Sequence, residues 1–390
     1  MALLSETSPA ELERAFRRPE LARAILGRLK RRLSSCRGDR PLRLMEVCGT
    51  HTMAISRSGL RTLLAPEVEL VSGPGCPVCV TAQGEIDAML ELAGRAGVIV
   101  ATFGDMMRVP GSRGSLIEAR AAGARVEVVY SIGEAVRLAA ENRGEKVVFL
   151  GVGFETTAPG TALALEAAAA NGVDNFLVYS AHKLVPPALA ALLHEPDLGI
   201  EGFVLPGHVS VVLGRQAYDF LAARGVAAAI AGFEPVDILL AVDSVAAMLE
   251  EGRVGVENAY TRAVAEAGNP LAREAIARCF APVTAVWRGL GPIPGSGLAI
   301  RDHLVAHDAA RRFGLDPVCR VPEPKGCSCG AVLRGKAKPT QCALFAKACT
   351  PVFPVGPCMV STEGACAAYY RFERQGGEQS PPESGGPSRA

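Results

Sequence analysis

The stretch KVVFLGVGFETTAP, residues 146–159, decides the fold class of this 390-residue chain. It opens with an apolar run, rich in Val and Leu, of the kind that forms a strand buried on both faces of a parallel sheet. A Gly-x-Gly turn follows the run, and a helical segment follows the turn. Strand, turn and helix in this order form the unit from which α/β proteins are built.

Similar apolar runs lie on both sides of this stretch. Before it, four runs between about residues 42 and 131 predict four strands of one sheet: LRLMEVCG, VELVSGPG, GVIVATFGD and RVEVVYS. After the turn ENRGEK, four runs predict a second sheet: KVVFLGVGFE, NFLVYSAH, GFVLPGH and VAAAIAGFEP. We therefore predict an α/β fold with two parallel-sheet domains and a third, loop-rich region.

The third region and the chain ends differ in composition from the two domains. Pro and Gly interrupt every run from residue 317 to 366, so that segment buries little apolar surface for its length. The end, QGGEQSPPESGGPSRA, has the composition of a disordered tail. The predicted organisation is N-terminal helices in 1–40 with a break near Pro19, α/β domains in 41–143 and 144–240, a partly helical region in 241–372 and a tail in 373–390.

Composition and charge exclude several classes of protein. Forty-one basic and forty acidic side chains nearly cancel, so no field of one sign recruits nucleic acid or an anionic membrane. The N-terminus MALLSETSPAELERAF lacks the basic start and apolar core of a secretory signal. No apolar run reaches the length of about 20 residues that spans a bilayer. We expect a cytoplasmic protein that binds neither nucleic acid nor membrane.

Twelve cysteines in a cytoplasmic chain indicate metal or redox chemistry, because cellular thiols prevent structural disulfides there. Three of them, Cys48, Cys76 and Cys79, lie in the first quarter of the chain. Seven lie near its end, at positions 319, 327, 329, 342, 349, 358 and 366. This distribution predicts two sites, with Cys36 and Cys279 apart from both.

Cys76 and Cys79 form the pair CPVC between a predicted strand and the helix after it. Unpaired N–H groups and the dipole at a helix N-terminus stabilise thiolate, so the pair suits cycles of oxidation and reduction. A zinc site needs two more ligands, and the downstream near-pair Cys327-Ser-Cys329 has one intervening residue instead of two. Two inert buried thiols are the third interpretation.

The stretch MEVCGTHT places Cys48 and His51 at the end of the first predicted strand. A thiolate beside an imidazole can bind iron or zinc, or can act as a nucleophile assisted by a base. A small buried cysteine and a hydrogen-bonded structural histidine are the alternatives for these two side chains.

Polar side chains also occupy the other loops after predicted strands. These loops are Gly104-Asp105, GFETT at 153–157, His182-Lys183 and Pro206-Gly-His208. Because ligands of parallel sheets bind at the carboxyl ends of the strands, we expect the loops to line a cleft between the two sheets. The turn Gly151-x-Gly153 is a poor nucleotide motif, since Thr156 holds the place of its third glycine.

Cys327, Cys342, Cys349 and Cys366 have the spacing C-x14-C-x6-C-x16-C. An iron–sulfur cluster bound to these thiolates would stabilise a segment that has no core of its own. Lysines at 325, 336, 338 and 347 would offset the charge of the cluster. The spacing matches neither common ferredoxin pattern, and zinc or disulfides are the alternative interpretations.

Together, MEVCGTHT, GPGCPVCV, GFETTAP, PGHVS and this cysteine spacing resemble the HypD family of [NiFe]-hydrogenase maturation factors. The resemblance runs from about residue 40 to 370 and includes every motif cysteine. It implies two α/β domains and a third region that binds a [4Fe–4S] cluster through the four spaced cysteines. Cys329 and Cys358 lie outside that four-ligand spacing.

The resemblance also implies a function. Such a protein is a scaffold on which the Fe(CN)2(CO) group of the hydrogenase active site is assembled. Cys48 would hold the iron together with a cysteine of a HypC-like chaperone, and a HypE-like partner would present cyanide as a thiocyanate. Cleaving that thiocyanate consumes two electrons, which the cluster and the Cys76/Cys79 dithiol would supply. His51 would form hydrogen bonds or handle protons near the iron.

Two other classes of protein fit parts of the pattern. A general thiol–disulfide oxidoreductase would use CPVC as its active pair and the cluster as its electron source. A structural binding module would use the metal only to hold the C-terminal region together. The sequence assigns no role to six further residues: Glu155, His182, His208, Cys329, Cys358 and Glu363.

Overall fold

The computed structural model describes residues 19–37, 40–195, 197–316 and 321–373. The helical segment predicted before Pro19, Cys319, the side chain of Cys36 and the predicted tail beyond residue 373 lie outside this description. No helix in the described part of the chain is both long enough and apolar enough to cross a membrane.

Eleven strands occur in the described residues and form three sheets. In chain order they are β1 (Leu42–Glu46), β2 (Val68–Ser72), β3 (Val98–Thr102), β4 (Val126–Val128), β5 (Lys146–Gly151), β6 (Phe176–Ser180), β7 (Gly202–Pro206), β8 (Ala227–Ala231), β9 (Gly255–Asn258), β10 (Phe280–Trp287) and β11 (Gly291–Ile300). The eight runs predicted as strands correspond to β1 through β8, and a further apolar run, PVTAVW at 282–287, lies in β10. Sequence analysis missed β9, a short polar edge strand, and β11, whose Gly and Pro content suits only an edge.

Helices connect most of these strands. In chain order they are α1 (Pro19–Arg37), α2 (Gly49–Arg57), α3 (Leu60–Leu64), α4 (Pro77–Val80), α5 (Gln83–Ala93), α6 (Leu116–Ala121), α7 (Ile132–Glu141), α8 (Ala158–Ala170), α9 (Val185–Leu192), α10 (Gly207–Leu213), α11 (Asp219–Ala222), α12 (Pro235–Glu250), α13 (Pro270–Cys279), α14 (Ala309–Phe313), α15 (Cys329–Leu333), α16 (Pro357–Val360) and α17 (Ala365–Phe372). Short 3-10 helices span Gly104–Arg108, Arg215–Tyr218, Asp302–His307 and Pro339–Gln341.

Two parallel sheets form the body of the molecule, and the chain enters the first of them twice. The first sheet has the order β2-β1-β7-β8-β9, and the second has the order β4-β3-β5-β6. The prediction that the strands between residues 42 and 131 form one sheet is wrong, because β1 and β2 belong to the first sheet and β3 and β4 to the second. A rhythm of apolar runs does not determine which strands pair. The boundary predicted at residue 143 therefore does not separate the two sheets.

Apolar side chains form three buried clusters, one between the sheets and one on each outer face. The central cluster takes Phe203 and Ile230 from the first sheet and Val148 and Leu177 from the second. The alternation of side chains along each strand sends their neighbours to the outer clusters. Burial of each such apolar side chain stabilises the folded state by about 2 kcal/mol. The loops at the strand ends are therefore attached to a rigid core.

The C-terminal region lies against the loops of the first sheet. Within residues 321–373 the α-helices are short, from four to eight residues. α16 packs on α4, and α17 packs on α2. The two N-terminal cysteine motifs are therefore covered by the C-terminal region.

Candidate functional site

Cys48 lies at the N-terminal end of α2, directly after β1. Its side chain is 8% exposed. Burial raises the pKa of Cys48 to about 12, and the carboxylates of Glu363 and Glu46 act in the same direction. The backbone N–H groups of Thr50 and His51 oppose this shift. The thiol is therefore protonated near pH 7.

Two glycines bring neighbouring loops against the backbone of Cys48. The N–H of Gly49 donates to the carbonyl of Gly75 at 2.8 Å. A Cβ at position 75 would lie 2.1 Å from the backbone nitrogen of Cys48, and a Cβ at position 49 would lie 2.6 Å from the Cβ of Glu363. Only glycine fits these two positions. The CPVC loop and the C-terminal loop thus meet at Cys48.

Polar and aromatic side chains surround this meeting point. The hydroxyl of Thr50 donates to Oε1 of Glu363 at 2.6 Å. The ring of His208 stacks on Phe233, with 3.9 Å between centroids, and Phe233 also contacts the ring of His51 at 4.9 Å. Since His208 is exposed while His51 is buried, Phe233 lies between a solvent-facing imidazole and an interior one.

His51 combines a structural hydrogen bond with a free ring nitrogen. Its Nε2 donates to the carbonyl of Gly232 at 2.9 Å. Burial lowers the pKa of His51 to about 4, so the ring is neutral near pH 7. Nδ1 then carries a lone pair, and it has no hydrogen-bond partner among the described residues. Both interpretations of this histidine, structural and functional, are compatible with its contacts.

Glu46 is a buried carboxyl beside Cys48 that sequence reasoning missed. It accepts hydrogen bonds from the hydroxyl of Thr52 at 2.6 Å and from the N–H of Cys48 at 3.2 Å. Burial raises the pKa of Glu46 to about 7, while the nearby Arg61 lowers it. The sequence did carry a signal for Glu46, because it ends the apolar run LRLME. A parallel strand that is buried on both faces rarely contains a glutamate.

The CPVC pair occupies the predicted junction between a strand and a helix. Cys76 and Cys79 are joined by a disulfide, and both are buried. Cys76 is at the N-terminal end of α4, where its sulfur accepts the N–H of Cys79 at 3.2 Å. A reversible dithiol is compatible with this arrangement, and the redox interpretation stays a prediction.

Six cysteines line one cavity in the C-terminal region, namely Cys327, Cys329, Cys342, Cys349, Cys358 and Cys366. Four of them are the predicted cluster ligands, and the other two form a close pair. The sulfurs of Cys329 and Cys358 lie 2.6 Å apart. Hydrogen bonds from Cys327 and Cys358 lower the pKa of Cys329. Spacing alone does not reveal this pair, because its two members come from different helices.

The donors around this cavity are of the type that suits an iron–sulfur cluster. Thiols alternate with Leu344, Phe345 and Met359, and the N–H of Val355 donates to the sulfur of Cys349 at 3.3 Å. Across the described ranges, however, no three His, Cys, Asp or Glu side chains are arranged as ligands of one metal ion. The cluster therefore stays a prediction, supported by donor type and not by ligand geometry.

Two of the four lysines expected to offset cluster charge have other partners. Lys336 pairs with Glu195 at 2.8 Å, and Lys338 pairs with Glu69 at 2.9 Å. Their charges are therefore largely neutralised by these carboxylates. The expectation that they compensate a cluster is accordingly weakened by the ion pairs.

The two cysteine groups adjoin each other. α16, which carries Cys358, packs on α4, which ends beyond Cys79. The loop before α4 in turn contacts the backbone of Cys48 through Gly75. The Cys329/Cys358 pair, in the wall of the C-terminal cavity, and the Cys76/Cys79 pair thus lie on or beside elements that pack together next to the Cys48 loop.

Several other loop residues singled out by sequence are held in buried contacts. His182 bonds through its ring nitrogens to Thr161 at 3.2 Å and Ser180 at 3.1 Å, and burial lowers its pKa to about 3. Lys183 forms a buried ion pair with Glu85. These contacts favour a structural role for both residues.

Glu155 has one satisfied and one unsatisfied oxygen. Its Oε1 accepts the N–H of Val185 at 2.9 Å, and its Oε2 is buried with no hydrogen-bond partner in the described part of the chain. Burial raises the pKa of Glu155 to about 7. At neutral pH a large fraction of this carboxyl is therefore protonated.

Comparisons with known proteins agree with these features. The HypD family model, described as the hydrogenase formation hypA family, matches residues 20–373. The hydrogenase maturation factor HypD of Rhodobacter capsulatus is 47% identical over 364 residues, which cover 92% of this chain and 97% of that protein. HypD of Escherichia coli (strain K12) is 46% identical over 371 residues, or 93% of this chain and 98% of that protein. The chain therefore belongs to the HypD family of hydrogenase maturation factors.

Proposed function

We propose that this protein is a cytoplasmic scaffold on which the Fe(CN)2(CO) group of the [NiFe] active site is assembled, with the iron held by Cys48. The observation that carries the proposal is the position of Cys48, where the CPVC loop and the C-terminal cysteine region meet. One protein thiolate leaves room on the iron for its diatomic ligands and for a cysteine of a HypC-like chaperone. Iron is the cargo in this scheme and leaves with the finished group.

The charges around Cys48 favour a cation. Glu46 and Glu363 both raise the pKa of the thiol, which means that they favour positive charge at the position of its proton. Fe(II) bound to the thiolate would replace that proton and relieve the repulsion between the sulfur and the two carboxylates. The lone pair on Nδ1 of His51 can accept a hydrogen bond from a group near the metal.

The CPVC dithiol would deliver the electrons for cyanide transfer. Cyanide arrives as a thiocyanate on a HypE-like partner, and its release requires two electrons. Two thiols of Cys76 and Cys79 become a disulfide and give up two electrons and two protons. The S–C bond of the thiocyanate breaks, its sulfur is left as a thiol, and cyanide leaves with an electron pair to bind iron. The second proton goes to solvent.

The Cys329/Cys358 pair would restore the CPVC dithiol by thiol–disulfide exchange. The packing of α16, which carries Cys358, on α4 supports this role. A [4Fe–4S] cluster bound by Cys327, Cys342, Cys349 and Cys366 would supply single electrons to this pair. Each thiol pair takes up two electrons before passing them on, which matches the two-electron demand of thiocyanate cleavage.

Burial of the CPVC pair argues against the alternative of a general thiol–disulfide oxidoreductase. Cys76 is 4% exposed and Cys79 is fully buried. An enzyme that reduces many protein disulfides needs an accessible thiolate for the attack. A dedicated partner that docks at the Cys48 loop fits these thiols better than a broad range of substrates.

Infrared spectroscopy tests this proposal, because cyanide and carbonyl stretches absorb where protein does not. The protein is purified without oxygen from cells that also express the HypC-like chaperone. We expect cyanide and carbonyl bands in the wild type and none in Cys48→Ala. Cys279→Ala, which removes another buried thiol far from these motifs, is the matched control and should keep the bands. Bands of equal strength in Cys48→Ala would reject Cys48 as the iron ligand.

A further inference from the structure

The turn that follows Cys349 exposes two large apolar side chains next to each other. Val352 is 69% exposed and Phe353 is 74% exposed. The turn is held by its own hydrogen bonds, because the N–H of Thr350 donates to the carbonyl of Phe353 and the N–H of Phe353 donates to the hydroxyl of Thr350, both at 3.1 Å. Exposed apolar side chains that adjoin on a fixed turn indicate a contact surface.

This turn begins at one of the cysteines of the C-terminal cavity and returns to it. Cys349 directly precedes the turn, and the N–H of Val355 donates to the sulfur of Cys349 at 3.3 Å. Cys349 is only 7% exposed, whereas Phe353 faces solvent two residues before Val355. A protein that binds to the turn would therefore lie one short loop away from a predicted ligand of the cluster.

Two exposed lysines lie on segments that contact Leu344 in the wall of the same cavity. The backbone N–H of Lys347 donates to the carbonyl of Leu344 at 3.1 Å. Lys325 precedes Gly326, where a Cβ would lie 3.6 Å from the side chain of Leu344. Backbone contacts therefore hold both lysines close to the cavity.

Arg108 adds a third exposed cation, which lies beyond β3 of the second sheet. It ends the 3-10 helix after β3, and its Nη2 donates to the carbonyls of Pro351 and Val352. In the described part of the chain, no carboxylate oxygen lies within 4.0 Å, the limit for an ion pair, of Arg108, Lys325 or Lys347. These three charges are therefore available to a partner.

Carboxylates on the same segments are bound to other groups. Glu323 accepts the N–H of Gly289 at 2.8 Å. Asp105, in the 3-10 helix after β3, accepts the hydroxyl of Ser361 at 3.4 Å. Neither carboxylate forms an ion pair with the three cations, so positive charge prevails around the apolar turn and complements an acidic partner.

We propose that Arg108, Lys325, Lys347, Val352 and Phe353 form a docking surface for a small acidic one-electron carrier protein of the ferredoxin type. We call these five residues the carrier surface. The inference rests on the proposed function, because the predicted cluster must receive its electrons from outside this chain. Transient electron-transfer complexes bury less than about 1,200 Å², and an apolar centre with charged residues around it is the usual composition of an interface. The cations would orient an acidic carrier, and the apolar turn would hold it beside the cavity.

The electrons balance over two docking events. Each reduced carrier gives up one electron at the carrier surface and leaves oxidised. Two carriers in turn supply the two electrons that thiocyanate cleavage consumes in the proposed function. One disulfide of the thiol route takes up both electrons together with two protons from solvent. A short-lived complex suits this use, because each carrier must dissociate before the next one binds.

Calorimetric titration of the intact, anaerobically purified protein with an acidic plant-type [2Fe–2S] ferredoxin tests this inference. We expect the wild type to bind at about 0.01 M salt and to bind about tenfold more weakly at about 0.15 M, because the Debye length falls from about 30 Å to about 8 Å. Lys347→Glu should weaken binding at low salt about tenfold, because it reverses a charge that faces the carrier. Phe353→Ala should weaken binding about fivefold through the loss of apolar contact.

Two matched variants control for changes of charge and of apolar area elsewhere. Arg143→Glu makes the same change of charge at an exposed position before β5, and Leu271→Ala removes a side chain that is 77% exposed on α13. Both should bind the ferredoxin as the wild type does. Absence of binding to the wild type, or equal losses in Lys347→Glu and Arg143→Glu, would overturn the inference. So would a dimer of this chain in gel filtration that Phe353→Ala dissociates, since a second copy would then occupy the surface.

A reduction assay distinguishes failure of this inference from failure of the proposed function. The protein is treated with photoreduced ferredoxin or with dithionite, and the thiols of Cys76 and Cys79 are counted by alkylation and mass spectrometry. If dithionite releases these thiols while the ferredoxin neither binds nor releases them, the thiol route stands and only the carrier surface is overturned. If neither reductant releases them, the thiol route of the proposed function fails, and the inference falls with it.

Discussion

The Cys48 site and the C-terminal cysteine cavity are built in different ways. Cys48 and Cys76 follow β1 and β2, neighbouring strands of a five-stranded parallel sheet with apolar clusters on both faces. The cavity lies among short helices and turns and is lined mainly by cysteines. Packing of the sheet positions the Cys48 site without any ligand. The C-terminal region around the cavity, in contrast, has a small apolar core for its length.

This difference matches two different demands. Under the proposed function the Cys48 site takes up iron and later releases it, so it must keep its shape when empty, and the strand ends and glycine contacts around Cys48 provide that. A site that holds its cofactor permanently can use the bonds to the metal as part of its own fold. We therefore expect the two regions to respond differently to changes of ligand, pH and packing.

Loss of a proposed cluster ligand should have the largest effect and should stay local. In Cys342→Ala we expect amide protection in residues 321–373 to collapse, because metal ligation at structural sites supplies on the order of 10 kcal/mol. Protection in β1 and β7 should be unchanged. Hydrogen exchange with mass spectrometry measures both regions at once, and Cys279→Ala serves as the control. Full protection of 321–373 in Cys342→Ala would mean that this region folds without its metal.

Glu155 should make the stability of the sheet region depend on pH. Burial raises the pKa of Glu155 from 4.5 to about 7, so between these values the folded state binds more protons than the unfolded state. Stability then falls as pH rises through this range, by about 3 kcal/mol for the whole shift. Denaturant unfolding at pH 5 and pH 8 should show a smaller fall in Glu155→Gln than in the wild type, and the part that remains comes from Glu46, whose pKa is also raised to about 7. Parallel behaviour of the two proteins would contradict a buried neutral carboxyl.

A methyl group at position 75 should damage the preformed site. In Gly75→Ala the new Cβ would collide with the backbone nitrogen of Cys48, and we expect a loss of about 2 kcal/mol in the free energy of unfolding. Gly160→Ala is the matched control, because a Cβ there meets nothing within 4 Å and lies in α8. Chemical unfolding compares the two. Equal stabilities of the two variants would show that the CPVC loop does not press on Cys48.

The smallest effect should come from the hydrogen bond that joins the two regions. Thr50→Val removes the donor to Oε1 of Glu363. We expect a loss of about 1 kcal/mol, since the carboxylate is only partly buried and water can replace the hydroxyl. A double-mutant cycle with Glu363→Gln measures the coupling. If the losses in the free energy of unfolding of the two single variants simply add in the double variant, the two regions touch at this point without energetic coupling.

The sequence predicted the strands well and their pairing poorly. β1 through β8 each follow from a short apolar run, because a strand buried on both faces leaves that mark on composition alone. The assignment of strands to sheets depends on crossovers that join distant segments, as when β7 returns to lie beside β1. Such contacts leave no local pattern in the chain.

In the candidate site, too, local motifs were predictable from the sequence and contacts between distant segments were not. Cys48, Cys76 and Cys79 were recognisable from motifs of neighbouring residues, and the structure brings their loops together. The Cys329/Cys358 pair arises between segments far apart in the chain, so spacing could not reveal it. Glu46 carried a usable signal, an acidic residue in a buried strand, and the sequence analysis passed over it.

Mössbauer spectroscopy of iron-57-labelled protein, purified together with the HypC-like chaperone, tests the central claim most directly. It distinguishes low-spin Fe(II) with strong diatomic ligands from cluster iron in one sample. We predict both components in the wild type, and in Cys48→Ala the loss of the low-spin component with the cluster component intact. A low-spin component that survives in Cys48→Ala would contradict the account of Cys48 as the iron anchor.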